Sequence, residues 1–364
     1  MLNILIDICH PAHVHLFRNF VKIMKAKGHF VYLTVKDIPA AKELLKLYNI
    51  RYIDYGSKSD SLIGKTLKQL KYDWDIRNIA NELNIDIGIG TSITISHVSK
   101  ISKMISFVLD DDDADVEPLF AKFAHPFADY LISPDVLKHE RLKKNHLLYP
   151  GYHELSYLHP NRFIPDKSVY AKLNIKEGEK FFILRFNAFK AHHDIGEKGL
   201  KDEQKKQLIS YLNQFGKVII TTEGNVNPEY RKYKFNLSPT EIFSALYYAT
   251  LFIGDSQTMT NEAAVLGTPA LRLNSFVGRI SYLKEQEDIY KLAFGFKPNE
   301  FVLLMNKVKE LLNMDNLKEE WKIRKEKMLS NKIDVTSFLV YIIDNYPESL
   351  VDIKNDADYF VKFK

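Results

Sequence analysis

Apolar runs alternate with stretches of helical period along the first 150 residues of the chain. NILIDI (3–8) is almost wholly apolar, and HLFRNFVKIMKAKGH (15–29) repeats apolar positions every three or four residues until Gly28. FVYLTV (30–35), AAKELLKLYN (40–49) and RYIDYG (51–56) continue as strand, helix and strand. A long helical stretch from Leu62 to Leu83 precedes three more strands: IDIGIG (85–90), ISFVLD (105–110) and DYLISP (129–134). Strands that are apolar on both faces and separated by helices predict parallel βαβ units, with helices covering both sides of a sheet. The pattern breaks at YPGYHELSYLHPNRFIPD (149–166), where three prolines and no clear period suggest a linker. A second set follows: KFFILRFN, a helix after Lys201, GKVIITTEG, a helix from Pro239 to Tyr248, then LFIGDS and TPALRL as its last two strands. The chain is helical from Glu300 to a break at Asn345-Tyr346-Pro347.

Length sharpens this picture. The chain has 364 residues, more than one ordinary core holds, and so predicts two domains. The expected division is 1–155, 156–344, and a C-terminal segment 345–364 that packs back on the first domain. A composition of 46% hydrophobic and 27% charged residues is that of a globular protein, not a disordered or fibrous one. The net charge of +5 is spread among acidic residues with no nucleic-acid-binding signature. One cysteine, Cys9, excludes an internal disulfide and fits a reducing compartment. The N-terminus turns polar after about eight residues, too early for a signal-peptide core. No apolar run approaches the roughly 20 residues a membrane span needs. The expectation is a cytoplasmic protein. The basic stretch KTLKQLKYDWDIRN (65–78) would allow contact with the inner face of a membrane.

Candidate chemistry gathers where predicted strands end, the edge at which open α/β sheets bind ligands. GDSQTMTNEAAVLG (254–267) sets Asp255 or Ser256 to cap a helix whose free amides suit a diphosphate. Glu262, nearly two turns on, suits a ribose. The first strand runs into DICHPAHVHLF, which crowds Asp7, His10, His13 and His15 together. A neutral imidazole at a helix N-terminus is a candidate general base, so His13, then His10, with Asp7 beside them, are the candidate catalytic residues. Three histidines also raise a metal site, but no second ligand cluster has a recognisable spacing, and no metal is expected. In LRFNAFKAHHD (184–194), Arg185, Asn187 and His192 follow a strand, and Arg185 offers a fork for phosphate. Glu223-Gly224 follows another. The acidic run from Asp110 to Glu117 offers Asp110 and Glu117 as polar contacts to substrate. IGIGTSIT lacks the third glycine of a dinucleotide fingerprint, which argues against an oxidoreductase.

At these residues the chain resembles the GT-B superfamily of glycosyltransferases and UDP-N-acetylglucosamine 2-epimerases. More narrowly, it resembles a largely archaeal and bacterial branch opening with D-I-x-H-P-A-H-V-H. GDSQTMTNEAAVLGTPALR is similar to the epimerases' T-D-S-G-G-x-x-E-E-A-x-x-x-G-x-P, matching at Asp255, Ser256, Glu262, Gly267 and Pro269. Gln257 and Thr258 replace the two glycines. The resemblance implies a GT-B architecture: two doubly wound Rossmann-like domains with parallel sheets facing a central cleft. It also implies that Ser256, Gln257 and Thr258 hold a diphosphate and Glu262 the ribose. AHVHLFRNF looks like the G-H-V turn of the enzyme that adds N-acetylglucosamine to lipid I, which makes His13 the matching base. The epimerases' Arg-Pro-Glu after the first strand is His-Pro-Ala here, and their H-R-R-E-N segment is replaced by RFNAFKAHHD.

These readings lead to the expectation of a metal-independent glycosyltransferase. It would move sugar from a UDP-linked nucleotide-diphospho-sugar to a glycan or lipid-linked acceptor, without a cofactor. A nucleotide-sugar epimerase or hydrolase on the same fold is the alternative, with Asp7, Asp110, Glu117 and His192 as its acid–base candidates. A non-catalytic nucleotide-sugar-binding protein is the third reading.

Overall fold

A computed structural model describes residues 1–55, 62–186, 199–222, 228–235, 237–356 and 358–364. The chain divides into two compact units, Met1–Arg162 with Lys332–Lys364, and Phe163–Asn331.

Unit 1 carries strands β1 (Asn3–Ile8), β2 (Phe30–Val35), β3 (Ile53–Asp54), β4 (Ile87–Gly90), β5 (Ile105–Leu109), β6 (Tyr130–Pro134) and β7 (His146–Tyr149). Helices α1 (Pro11–Ala26), α2 (Pro39–Leu47), α3 (Leu62–Glu82), α4 (Ile93–Ser99), α5 (Pro118–Phe123) and α6 (Leu155–Leu158) belong to the same unit. The strands form one sheet in the order β3-β2-β1-β4-β5-β6-β7, with every pairing parallel. Order reverses between β1 and β4, the topological switch point at which such sheets bind ligands. The β1 segment ILIDI is buried throughout because helices cover both faces. On α1, Leu16, Phe17, Phe20, Val21 and Met24 fall at helical spacing and turn inward. Each such side chain stabilises the fold by about 1.5–3 kcal/mol through area removed from water.

Unit 2 carries α7 (Ser168–Lys172), β8 (Phe181–Phe186), α8 (Asp202–Leu212), β9 (Lys217–Thr222), α9 (Ile242–Tyr248), β10 (Leu251–Gly254), α10 (Gln257–Leu266), β11 (Ala270–Leu273), α11 (Ser281–Asp288), β12 (Ala293–Phe296), α12 (Phe301–Leu312) and α13 (Leu317–Asn331). Its sheet is also parallel, in the order β12-β11-β10-β8-β9, so the switch point lies between β8 and β10. Gly254 pairs with Arg185 there, and a Cβ on Gly254 would come within 2.6 Å of the Arg185 carbonyl oxygen. Only glycine lets the two strands approach so closely.

The chain then returns to unit 1 as α14 (Val335–Asp344) and α15 (Ser349–Asn355). Asp344 holds this return, accepting from His29 Nε2 and Lys27 Nζ at 2.8 Å each. Phe363 and Tyr359 pack on Tyr341 and Phe338 of α14.

Three features differ from expectation. The stretch predicted as a linker is largely unit 1 interior: Tyr149, Tyr152, Leu155, Tyr157 and Leu158 are all buried, and α6 packs on α1 and α14. Its prolines disguised a buried aromatic series. β7 and β12 lie within HLLY and AFGF, two strands too short to stand out by period. Unit 2 ends at Asn331 and not at 344, because α14 has its apolar partner in α1. No described helix is long and apolar enough to cross a membrane.

Candidate active site

At the switch point of unit 1, Asp7 ends β1 with its side chain fully buried. Thr34 Oγ1 and Tyr55 OH donate to Oδ1 at 3.0 and 2.7 Å, while Ser92 Oγ and Cys9 Sγ donate to Oδ2. The carboxylate therefore ties the ends of β1, β2, β3 and β4 together. A charge buried this deeply is tolerated because several donors satisfy it. Its oxygens are spent on the protein, which runs against the catalytic role expected of it. Beside it the Cys9 thiol is pushed up to about 12 by burial and then by Asp7, which leaves it protonated and unreactive.

α1 begins immediately afterwards. His10 is its N-cap and Nδ1 accepts from the Ala12 amide at 3.2 Å. His13 Nδ1 accepts from the Cys9 amide at 3.3 Å. Both rings thus spend the lone pair of Nδ1 on backbone and, when neutral, carry their proton on Nε2. Burial, followed by the nearby charges of His10, His153 and Lys36, holds His13 well below the ordinary histidine range. A neutral imidazole with its proton on Nε2 is a hydrogen-bond donor there. This geometry runs against the expected general base at His13, and at His10 the same bond leads to the same tautomer.

A ring of the opposite kind lies nearby in the same unit. His153 Nδ1 is 3.0 Å from Asp111 Oδ1, and its Nε2 is buried with no hydrogen-bond partner among the described residues. With Nδ1–H donated to the carboxylate, the lone pair of Nε2 has no hydrogen-bond donor among the described residues. Thr91 Oγ1, just past β4 at the switch point, is another buried polar atom without a partner among the described residues. Neither residue stands out in the sequence: His153 falls in the supposed linker, and Asp111 is one of a run of four aspartates.

Asp110 serves structure. Its Oδ2 accepts from His125 Nε2 at 2.7 Å and Arg141 Nη2 at 2.9 Å, and Oδ1 accepts from the Asp112 amide at 3.2 Å. Arg141, itself buried, also donates to the Asp112 carbonyl, Glu140 and Ser133. That network occupies the carboxylate expected to touch substrate. Asp112 is raised well above the usual carboxylate range by burial and then by Asp111 and Asp110. Glu117 heads α5 at the N-cap position. Oxygens of Asp110, Asp111 and Asp112 approach one another within 4.8 Å, as do ligand atoms of Asp113, His139 and Glu140, so among the described residues these are the groups a cation could use.

In unit 2, β10 runs into Asp255 and Ser256, both buried, and α10 starts at Gln257. Ser256 Oγ accepts from the Met259 amide at 3.3 Å. The amides of Gln257 and Thr258, ahead of it, remain as first-turn donors at the positive end of the helix. Asn274 braces the turn: Nδ2 donates to the Asp255 carbonyl at 2.8 Å and Oδ1 accepts from the Phe276 amide at 3.0 Å. Gly267, with φ of +84°, closes α10 in the left-handed conformation that glycine tolerates. Glu262 lies inside the helix and is buried, and Arg185 is half-buried at the end of β8, across the switch point. Asn187, His192, Glu223 and Gly224 lie outside the described residues. The structure thus brings Arg185, Ser256, Gln257 and Thr258 to one edge of unit 2, and His10, His13, Thr91, Asp111 and His153 to strand ends of unit 1.

A family profile described as "Protein of unknown function (DUF354)" matches residues 2–348. The uncharacterized protein MJ0665 of Methanocaldococcus jannaschii is 23% identical over 336 residues, 87% of this chain and 92% of that protein. Among solved structures, the S. aureus MnaA–UDP co-structure aligns with a TM-score of 0.67 at 12% identity, covering 94% of this chain and 97% of the other. The UDP-GlcNAc 2-epimerase from Neisseria meningitidis bound to UDP-GlcNAc aligns with a TM-score of 0.60 at 11% identity, covering 91% and 100%. The spinosyn rhamnosyltransferase SpnG complexed with spinosyn aglycone gives 0.61 at 10% identity, covering 95% and 100%. At these identities the likeness is one of fold. Both units are Rossmann-like parallel-sheet domains of the GT-B kind, a fold that serves epimerases and glycosyltransferases alike.

Proposed function

The chain belongs to the DUF354 family, and from that premise we propose that it is a glycosyltransferase using a nucleotide-diphospho-sugar, UDP-linked, as donor and a glycan or lipid-linked hydroxyl as acceptor. The head of α10 carries this reading. A Ser256-capped helix presents the amides of Gln257 and Thr258 at the switch point of unit 2, where a diphosphate would meet a positive dipole end whose first turn carries no acidic residue. Arg185 adds a cation from the neighbouring strand, and Glu262 provides acceptors for the ribose hydroxyls.

Unit 1 supplies the proton chemistry. His153 Nε2 takes the proton of the acceptor hydroxyl while Asp111 holds the ring in the required tautomer and stabilises the imidazolium that forms. The acceptor oxygen attacks the anomeric carbon, and the nucleoside diphosphate departs. The α10 amides stabilise the charge left on the nucleoside diphosphate, a task this reading gives to helix-end dipoles rather than to a metal ion. His13 Nε2–H is a donor that orients the acceptor.

Titration calorimetry with UDP tests the seat. Wild-type protein should bind it, and Glu262→Ala should weaken binding roughly ten- to hundredfold, the loss of hydrogen bonds to a charged group. No heat with UDP at millimolar concentration would remove the donor seat. Incubation with UDP-N-acetylglucosamine, followed by NMR, then separates the chemistries. A new sugar or free UDP without any acceptor would establish the epimerase or hydrolase alternative, which shares the fold.

A further inference from the structure

One face of unit 1 exposes apolar side chains that three segments hold together. α3 and α4 pack against each other, and His97 of α4 links them to the end of α5. Its Nδ1 meets Asp73 of α3 at 2.9 Å, its Nε2 meets the Phe123 carbonyl at 2.9 Å, and its ring lies edge-on to Phe127 at 5.0 Å. Around this hub Leu70 and Trp74, four apart on α3, are exposed, and so are Leu119 and Phe123, four apart on α5. Phe127 and Ile101 extend the surface. Trp74 is 58% exposed although a well-packed core lies directly beneath it, with Tyr72, Ile76, Val98 and Ala124 in one cluster. The apolar residues are therefore surplus to the core.

Cations accompany these rings. The Arg77 guanidinium lies 5.2 Å from the centre of the Trp74 ring, and Arg77 Nε also donates to the Ile101 carbonyl at 3.1 Å. Lys122 Nζ lies 5.5 Å from the Phe123 ring. Lys103 shares a cavity wall with Arg77 and Ile101, where Asp86 is the one carboxylate against the two cations. Asp73, the carboxylate beneath the hub, is already bonded to His97 and Gln69. Exposed aromatics carrying cations on or beside their rings form an amphiphilic surface that matches an anionic lipid interface. The rings enter at headgroup depth and the cations meet phosphates.

We propose that this face of unit 1, built on α3, α4 and α5, docks the protein on a bilayer surface bearing anionic headgroups. Charge complementarity favours that occupant. A second copy of the chain facing its own patch would oppose Arg77, Lys103 and Lys122 to themselves, whereas anionic phosphates neutralise them. Docking here is peripheral, with side chains at the interface and no spanning helix.

Tryptophan emission reads the contact directly, because the chain has two tryptophans and Trp321 is buried. The full chain is mixed with vesicles of phosphatidylcholine containing a third phosphatidylglycerol, and with vesicles of phosphatidylcholine alone. Emission should shift to the blue only with the anionic vesicles, and the protein should co-sediment with them. Trp74→Phe should abolish the shift while keeping co-sedimentation. The Trp74→Ser, Phe123→Ser double variant should lower partitioning more than tenfold. Arg77→Gln and Lys122→Gln should each lower it about fivefold. Unchanged far-UV circular dichroism and melting temperature certify that the variants fold, as expected for exposed positions. Equal partitioning into both vesicle types, or none into either, overturns the proposal. So does a dimer, seen by sedimentation velocity without lipid, that Trp74→Ser dissolves. None of these outcomes depends on UDP binding or sugar transfer.

Discussion

The strand ends of the two units handle polar residues in opposite ways. In unit 1 they are used mostly on one another. Asp7 collects Thr34, Tyr55, Ser92 and Cys9, while Asp110 collects His125 and Arg141. Among the described residues, what remains for a ligand at these strand ends includes His13 Nε2 and the buried, unpartnered His153 Nε2 and Thr91 Oγ1. In unit 2 the same edge is built from a helix end, where one serine satisfies one amide and the two ahead of it stay available as donors. The contrast has a chemical reason. A proton acceptor must have one particular nitrogen free and correctly tautomeric, which requires its neighbours to be fixed by bonds. A diphosphate seat needs only positive field and open amides, which a helix N-terminus has by construction.

That contrast can be broken most forcefully at His153. Changing it to Ala should lower kcat by about 10²–10⁴-fold, the usual contribution of a general base, with KM for the UDP-sugar little changed. Asp111→Asn should lower kcat less, since it disturbs the tautomer without removing the nitrogen. A variant that keeps full turnover would return the role to another group. His13→Gln offers the complementary measurement: Gln retains a donor, so turnover should fall far less than in His153→Ala. Equal losses would mean that His13 is the base after all.

The next largest effect concerns stability. Asp7→Ala strands buried donors on four strands and should cost at least ~3 kcal/mol in a urea titration. Ser256→Ala, which removes one helix cap in unit 2, should cost about 1 kcal/mol. Equal losses at the two positions would deny that unit 1 invests its polar groups in structure.

The last expected effect that separates the units follows pH. Burial, and then Arg18, lower His15 from about 6.5 to about 3. Between those values the unfolded chain takes up a proton that the folded ring refuses. The stabilisation is therefore complete above about pH 6.5 and is lost as pH falls toward 3. Moving from pH 7 to pH 5 should lower unfolding free energy by about 2 kcal/mol from this ring alone, and His13 acts in the same direction. Amide exchange should show α1 loosening with acid, and His15→Leu should flatten the dependence. An unchanged slope in that variant would exclude His15 as its source.

Much of this architecture was legible in one dimension. ILIDI, FFILRF and LFIG announce buried parallel strands because every position is apolar, and Ser256 and Gly267 mark both ends of α10 because only certain residues cap a helix or adopt φ of +84°. Those are local rules, carried by neighbours within a few residues. The helix start proposed as a diphosphate seat in unit 2 was readable for the same reason, since it is one strand end and one helix start. The base proposed in unit 1 was not. His153 and Asp111 lie 42 positions apart in the sequence numbering, and which histidine has a free nitrogen depends on bonds to Cys9 in one case and Asp111 in the other. Asp7 could be seen as polar at a strand end, but not that Tyr55 and Ser92 would claim it. The chain by itself determined the layers, the sheet class and the Ser256-capped helix start, because these follow from short-range periodicity and backbone geometry. Only the tertiary structure decided which polar groups are consumed and which are spared, because hydrogen-bond saturation depends on partners that chain order does not specify.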